Sequence, residues 1–276
     1  MKQLTKYIIS ELRGFYPEEE LRELAYWIIE ESTGMTLTQI LTDCKDTQNI
    51  SNMEIILQKL RAHEPIQYIF GHTEWMGLDL RVTPATLIPR PETAELAEWI
   101  LQVGARDKPL RVLDIGTGSG CIAIALKKAA PHWQVTGLDI SEEALTVAKE
   151  NATRNKVEVN WLQADILSPI ANSSLPIADI IVSNPPYICN SEKKDMDARV
   201  LDYEPHSALF VPDTDPLLFY RQIASLASSP LNMFFEINEA YSNEVCAMME
   251  QMGYTDIQLK NDMYGKPRMV FGAITR

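Results

Sequence analysis

Arg111-Val112-Leu113-Asp114-Ile115-Gly116-Thr117-Gly118-Ser119-Gly120, followed by the helically spaced apolar residues of Cys121 to Ala130, decides the fold. A buried parallel strand reads as a near-continuous apolar run, and glycines directly after it let the backbone turn tightly and approach a ligand with no Cβ in the way. Strand, glycine turn and helix in that order form a nucleotide-type pocket, with Gly116, Thr117, Gly118 and Gly120 as its loop. The spacing Gly-x-Gly-x-Gly is one residue shorter than the dinucleotide fingerprint, so a pyrophosphate cradle fits poorly. A P-loop is excluded because Gly-x-x-x-x-Gly-Lys-Ser/Thr does not occur. The next apolar run, Gln134 to Ile140, carries Asp139 about 20 residues past the first glycine, where a carboxylate can accept both hydroxyls of a ribose. A third run, Val157 to Leu162, leads to Asp165, a strand-end acid that can meet an adenine amino group or cap a helix.

A second motif, Asn184-Pro185-Pro186-Tyr187, ends the apolar run Ala178 to Ser183. Pro-Pro after Asn is also an ordinary way for a strand to stop. Behind a nucleotide-type pocket it has a chemical reading. Asn184 Oδ1 and the Pro185 carbonyl can each accept one hydrogen of a planar NH2 group, and Tyr187 offers a flat face to stack on it.

Composition narrows the class. With 276 residues, 46% of them hydrophobic, the chain can bury a sizeable core and divide into two domains. A formal charge of −13 is the wrong sign for a protein whose affinity comes from neutralising phosphates, so no stable nucleic-acid partner is expected. Cys44, Cys121, Cys189 and Cys246 are scattered without Cys-x-x-Cys or His-Cys spacing, which argues against zinc and against a disulfide framework. Reduced thiols, the absence of a leader-like amino terminus and the absence of a long apolar run lead to the expectation of a cytoplasmic protein with no membrane partner.

The spacing predicts a helical bundle over residues 1–64, with Ser51 and Glu54 forming a capping box. A linking hairpin follows over 65–83, turning at Gly71 and Gly77, and then an α/β domain over 84–276. Seven strands alternating with helices give the α/β domain a doubly wound sheet. In Pro89-Arg90-Pro91-Glu92-Thr93, Arg90 and Glu92 either line the ligand pocket or form a salt-bridged helix start, with Pro91 in the first turn. The sequence marks no catalytic motif around His63, His72, His132 or His206, so none is assigned a catalytic role.

Glu64 to Gly71, Leu87-Ile88-Pro89-Arg90-Pro91-Glu92-Thr93, Leu113 to Gly120 and Ser183 to Ile188 together resemble the HemK/PrmC family of release-factor glutamine methyltransferases. Tyr203-Glu204-Pro205, Asp262, Gly265 and Arg268 add further matches. The resemblance implies a class I, Rossmann-like, seven-stranded methyltransferase domain behind a helical substrate-docking domain. It also implies S-adenosyl-L-methionine as donor, with S-adenosyl-L-homocysteine as product, and no metal. The implied reaction is transfer to the side-chain amide N5 of the glutamine in the Gly-Gly-Gln motif of class 1 peptide chain release factors, by a monomer. On this reading Asn184, Pro185 and Tyr187 are catalytic. Gly116, Thr117, Gly118, Gly120, Asp139, Asp165 and Asn184 hold the cofactor, and Asn184, Pro185, Pro186, Tyr187, Arg90 and Glu92 meet the substrate. Ala94, Asn238 and Val211-Pro212-Asp213 depart from the family pattern, which usually has an acid at the first and glycines at the others.

The residues alone leave alternatives. An adenine-N6 or guanine-N2 nucleic-acid methyltransferase would use the same Asn-Pro-Pro-Tyr device on an exocyclic amine. It would also need a phosphate-binding surface that a −13 chain does not advertise. A binding module that had lost its chemistry would show erosion of Gly116, Gly118, Asp139 or Asn184, and all four are intact.

Overall fold

The helical spacing of the amino-terminal residues produces α1 (Lys2–Leu12), α2 (Glu18–Thr33), α3 (Leu37–Thr42), α4 (Met53–Arg61) and α5 (Ile66–Phe70) in a computed structural model that describes residues 2–42, 50, 52–168, 175–226 and 231–275. Ile8, Leu12, Leu21, Ile28, Leu57 and Leu60 are fully buried in one shared core. Helix α2 starts after Pro17 with Glu18, Glu19 and Glu20 in its first turn, where the helix dipole favours acids. It stops at Gly34, which takes φ +69° and returns its N–H to Glu30 O. The capping-box residue Ser51 lies outside the described residues.

Residues 66–70 depart from the expected strand and form helix α5. Pro65 fixes the entry at φ −56°, and Gly71, at φ +78° with its N–H on Gln67 O, closes the turn as a helix cap, not as a hairpin turn. Two cap residues with five residues between them override the β-branched and aromatic composition of that segment. The hairpin therefore begins only at β1 (His72–Trp75) and returns as β2 (Leu78–Arg81). Met76 and Gly77 both sit at positive φ, as a two-residue hairpin turn requires.

The remaining elements are α6 (Pro91–Val103), β3 (Arg111–Ile115), α7 (Cys121–Ala129), β4 (Gln134–Asp139), α8 (Glu142–Arg154), β5 (Asn160–Gln163), β6 (Ile180–Ser183), β7 (Ile188–Cys189), α9 (Ala198–Leu201), β8 (Phe210–Val211), α10 (Leu218–Ala224), β9 (Leu231–Glu236), α11 (Ser242–Gln251), β10 (Thr255–Asn261) and β11 (Pro267–Ile274). Seven strands form one sheet in the order β10-β11-β9-β6-β3-β4-β5. The contacts β9·β6, β6·β3, β3·β4 and β4·β5 are parallel, and β11 runs antiparallel to both neighbours.

Strand alternation splits the sheet's side chains between two cores. Val112, Ile180, Val182 and Phe234 pack with Leu96, Ile100, Ile122 and Leu126 from α6 and α7. Leu113, Ile181, Met233 and Phe235 pack with Tyr220, Ile223, Val245 and Met249 from α10 and α11. With both faces covered, the parallel strands can be apolar throughout, which is why β6 reads Ile-Ile-Val-Ser and is buried at every position.

The chain divides into two units, Met1–Gly71 with Asp197–Tyr203, and His72–Met196 with Glu204–Arg276. The helical unit thus ends at Gly71 instead of residue 64, the hairpin belongs to the α/β unit, and a short insert containing α9 returns to the helices. Within the helical unit that insert is held by Arg199, whose Nη1 reaches Glu20 at 2.8 Å and whose guanidinium lies over the Tyr16 ring at 5.6 Å. Tyr203 adds a hydroxyl that donates to Ala62 O at 2.7 Å.

Candidate active site

Ligands of doubly wound sheets bind beyond the carboxyl ends of the strands, where the strand order reverses. Here the reversal falls between β3 and β6, so the loop after Ile115 and the loop after Ser183 flank one crevice. The crevice is a pocket of about 390 Å³, lined among others by Gly116, Thr117, Gly118, Asp139, Ile140, Asp165, Ile166, Asn184, Pro185, Pro186 and Arg90.

The glycine loop is built by backbone geometry. Gly116, Gly118 and Gly120 take φ of +72°, +54° and +80°, and the N–H groups of Gly116 and Thr117 both donate to Leu138 O at 2.9 Å. Asp139 closes the loop from β4. Its Oδ2 accepts Gly118 N and its Oδ1 accepts Ser141 N, each at 2.9 Å. Gly120 does not line the pocket. A Cβ there would lie 2.9 Å from the Trp161 ring and 3.1 Å from Ala148 Cβ, so this glycine lets α7 start against α8 and β5. Gly120→Ala combines that crowding with a left-handed backbone. It should lower unfolding free energy by roughly 1–3 kcal/mol, measured by urea titration.

Asp114, the acid of β3, is buried beneath the loop. Its Oδ2 accepts Thr117 Oγ1 at 2.5 Å and Ala123 N at 3.3 Å, while Oδ1 has no hydrogen-bond partner among the described residues. Burial pushes its carboxyl up from 3.8 to about 7, against the smaller opposing effect of those two hydrogen bonds. The folded state therefore holds a proton that the unfolded chain releases, and this group's stabilising contribution is present below about pH 4 and lost as pH rises to about 7. The difference in unfolding free energy between the unaltered protein and Asp114→Asn should drift across that window, on the order of a few kcal/mol. A flat difference would count against the buried proton.

Asn184 leaves β6 at the other wall. Its Nδ2 donates to Thr93 Oγ1 at 3.2 Å, and Thr93 Oγ1 donates to Glu236 Oε2 at 2.6 Å. Glu236 Oε1 accepts the Tyr187 hydroxyl at 3.2 Å. Glu236 is 1% exposed at the end of β9, brought beside Asn184 by the β6·β9 pairing Ser183↔Phe235. Burial pushes its carboxyl up, while the hydroxyls of Thr93 and Tyr187, with Arg268, favour the ionised form. The Asn-Pro-Pro-Tyr loop is further fixed by Leu209 O, which accepts Tyr187 N and Ile188 N at 3.2 and 2.9 Å. Asn238, a departure from the family pattern, holds the same loop, its Nδ2 donating to Tyr187 O at 3.2 Å and its Oδ1 capping Ala240 N at 3.0 Å.

Other expected site residues fall in different places. Arg90 lines the pocket but is paired, Nη2 to Glu204 Oε1 at 2.5 Å, with Glu204 also accepting Ile88 N at 3.1 Å. Glu92 occupies the first turn of α6 and does not line the pocket. Tyr187 is not part of the lining; its hydroxyl is held by Glu236, which also lies behind the lining. Asp165 lines the pocket, and its Oδ1 accepts Leu167 N at 2.9 Å in a turn; no helix begins there among the described residues. Thr93 and Glu236 were not expected as an amide-orienting pair. The available signal was a single acid closing the otherwise apolar end of β9, Met233-Phe234-Phe235-Glu236.

The sheet order is that of a class I methyltransferase, and the model of the methyltransferase small domain matches residues 97–202. A methyltransferase from Pyrococcus furiosus shares the fold, with a TM-score of 0.54 at 18% identity over 82% of this chain and 100% of that one. The PrmC N-terminal domain model matches residues 3–71. The release factor glutamine methyltransferase of Bacteroides thetaiotaomicron is 43% identical over 98% of this chain and 99% of its own length. That of Flavobacterium psychrophilum is 40% identical over 98% of each. The chain belongs to the release factor glutamine methyltransferase family.

Proposed function

We propose that this chain binds S-adenosyl-L-methionine in the pocket that the glycine loop and Asp139 line together. It transfers the methyl group to the side-chain amide nitrogen of the glutamine in the Gly-Gly-Gln motif of peptide chain release factors. The observation that carries the reading is the hydrogen-bonded series Asn184, Thr93, Glu236. It engages the NH2 of Asn184 and leaves Oδ1 available as an acceptor on a residue that lines the pocket together with Pro185.

The lining suits this cofactor. Asp139 can accept a ribose diol, and Leu138, Ile140 and Ile166 offer an apolar bed for adenine. Arg90 is the one cation among the described lining residues and is already paired with Glu204, which favours a ligand without phosphates. When bound, S-adenosyl-L-methionine supplies an electrophilic methyl group on a sulfonium.

An amide nitrogen is a weak nucleophile because its lone pair is delocalised into the carbonyl. Asn184 Oδ1 and the Pro185 carbonyl, by accepting the two N–H bonds, orient that lone pair and stabilise positive charge growing on nitrogen. No base need act before attack, since the nitrogen becomes acidic only as its new bond forms and the methyl–sulfur bond breaks; the proton then leaves to water, and the departing sulfur is a neutral thioether. Pro185 and Pro186 hold the acceptors rigid, and Tyr187, behind the lining, anchors the motif through its hydroxyl on Glu236.

The helical unit is the docking body for the protein substrate, and a single copy carries the whole α/β site, consistent with a monomer working beside the translation machinery in the cytoplasm. No helix among the described residues is long and apolar enough to cross a membrane. A short Gly-Gly-Gln peptide should accordingly be methylated with a KM well above that of the intact factor and a similar kcat; equal KM values would remove the docking role. Methyl-tritiated cofactor offered with a release factor and adenine-containing duplex DNA together tests the substrate class. Label in protein supports the proposal, and label in DNA alone moves the assignment to a nucleic-acid amine.

A further inference from the structure

An asparagine amide can sit in two orientations, and only one presents an acceptor to a substrate NH2. Nothing in Asn184 itself chooses between them. Thr93 Oγ1 is where the choice is made. Its proton is committed to Glu236 Oε2 at 2.6 Å, so towards Asn184 it shows only lone pairs, which attract Nδ2 at 3.2 Å and repel Oδ1. The direction of the whole series is set by Glu236, an acceptor-only group when ionised, 1% exposed and fixed at the end of β9. Thr93 is 3% exposed and held in the first turn of α6, so neither member can turn out to water to relax the pattern.

We infer that Thr93 and Glu236 are positioning residues for methyl transfer, a buried donor series that locks the Asn184 side chain with its carbonyl turned to the substrate amide. The inference rests on the proposed reaction. It adds that the polarity of this wall is imposed from behind, by a carboxylate that touches no substrate. Glu236 also accepts the Tyr187 hydroxyl at 3.2 Å, so one carboxylate fixes both the amide and the ring of the Asn-Pro-Pro-Tyr motif. Glutamine in place of Glu236 can turn its own NH2 toward Thr93. The Thr93 proton is then free to point at Asn184, and the amide can flip to present donors against a donor.

The test compares Thr93→Val, Thr93→Ser and Glu236→Gln in the full chain, with S-adenosyl-L-methionine affinity by calorimetry and kcat and KM on a release factor. Valine keeps the shape and removes the hydroxyl, whereas serine keeps the hydroxyl and removes the methyl. Thr93→Val and Glu236→Gln should bind the cofactor as the unaltered protein does and lose about 10- to 100-fold in kcat, the scale of a misplaced reacting group. Thr93→Ser should recover most of the rate. The inference is overturned if Thr93→Val keeps a kcat within about twofold of the unaltered protein, or if valine and serine lose rate equally, which is the pattern of a packing role. Should the valine variant fail to fold, Glu236→Gln decides: a reduced kcat with intact cofactor affinity supports the lock, and an unchanged kcat overturns it. Failure of the unaltered chain to methylate any release factor would instead refute the reaction, a result these variants cannot mimic.

Discussion

Asn184→Ala is expected to leave S-adenosyl-L-methionine affinity near that of the unaltered protein and to lower kcat on a release factor by about 10²- to 10³-fold, the range seen when one preorganised transition-state contact is removed. Asn184 lines the pocket, and its side-chain partner is Thr93, not the glycine loop. Its loss should therefore fall on the chemical step. In the ground state an amide NH2 exchanges water for Asn184 Oδ1 with little net gain, but as the carbon–nitrogen bond forms the N–H groups grow more acidic and the same contact strengthens. Steady-state kinetics with both substrates, alongside calorimetry for the cofactor, separates these effects. An equal fall in cofactor affinity and kcat would show that Asn184 serves the donor more than the acceptor.

Asp139→Ala should act in the opposite pattern. Its two oxygens receive Gly118 N and Ser141 N, so the carboxylate shapes the loop and remains able to accept ribose hydroxyls. Hydrogen bonds to a charged group contribute about 1.5–3 kcal/mol each, so losing even one in the bound state weakens S-adenosyl-L-methionine binding by roughly tenfold or more. With loop distortion added, the dissociation constant should rise about 100-fold. At saturating cofactor, kcat should recover to within a few-fold of the unaltered value. Burial raises the Asp139 carboxyl above its ordinary range, against three opposing backbone hydrogen bonds, so cofactor affinity should also weaken as pH falls toward the carboxylate range. Asp139→Ala should lack that dependence, and an affinity that is insensitive to both the substitution and pH would remove Asp139 from the cofactor site.

What could be read in the sequence was local. The glycine loop, Asp139 and Asn184 each stand directly after an apolar run, and a run of that kind specifies a buried parallel strand whose carboxyl end faces the crevice. The amide-orienting series was not legible because Thr93 and Glu236 lie 143 residues apart and meet only because α6 packs against β9. Residues 66–70 read as strand by composition yet fold as helix, because Pro65 and Gly71 decide the backbone at both ends. The return of Asp197–Tyr203 to the helical unit carries no periodic signal at all; it rests on side-chain contacts such as Arg199 to Glu20. Asn238 departs from the family pattern outside the Asn-Pro-Pro-Tyr motif, and in place its Nδ2 bonds the carbonyl of Tyr187 and helps to hold that motif.

The central claim is that the acceptor is the amide nitrogen of one glutamine. Tandem mass spectrometry of a release factor incubated with this chain and S-adenosyl-L-methionine tests it most directly. The account predicts a mass gain of one methyl confined to the glutamine of the Gly-Gly-Gln motif, lost on hydrolysis of its side-chain amide as methylamine, and absent when Asn184→Ala replaces the unaltered chain. Methyl on any other residue, or on that glutamine at equal rate with Asn184→Ala, would contradict it.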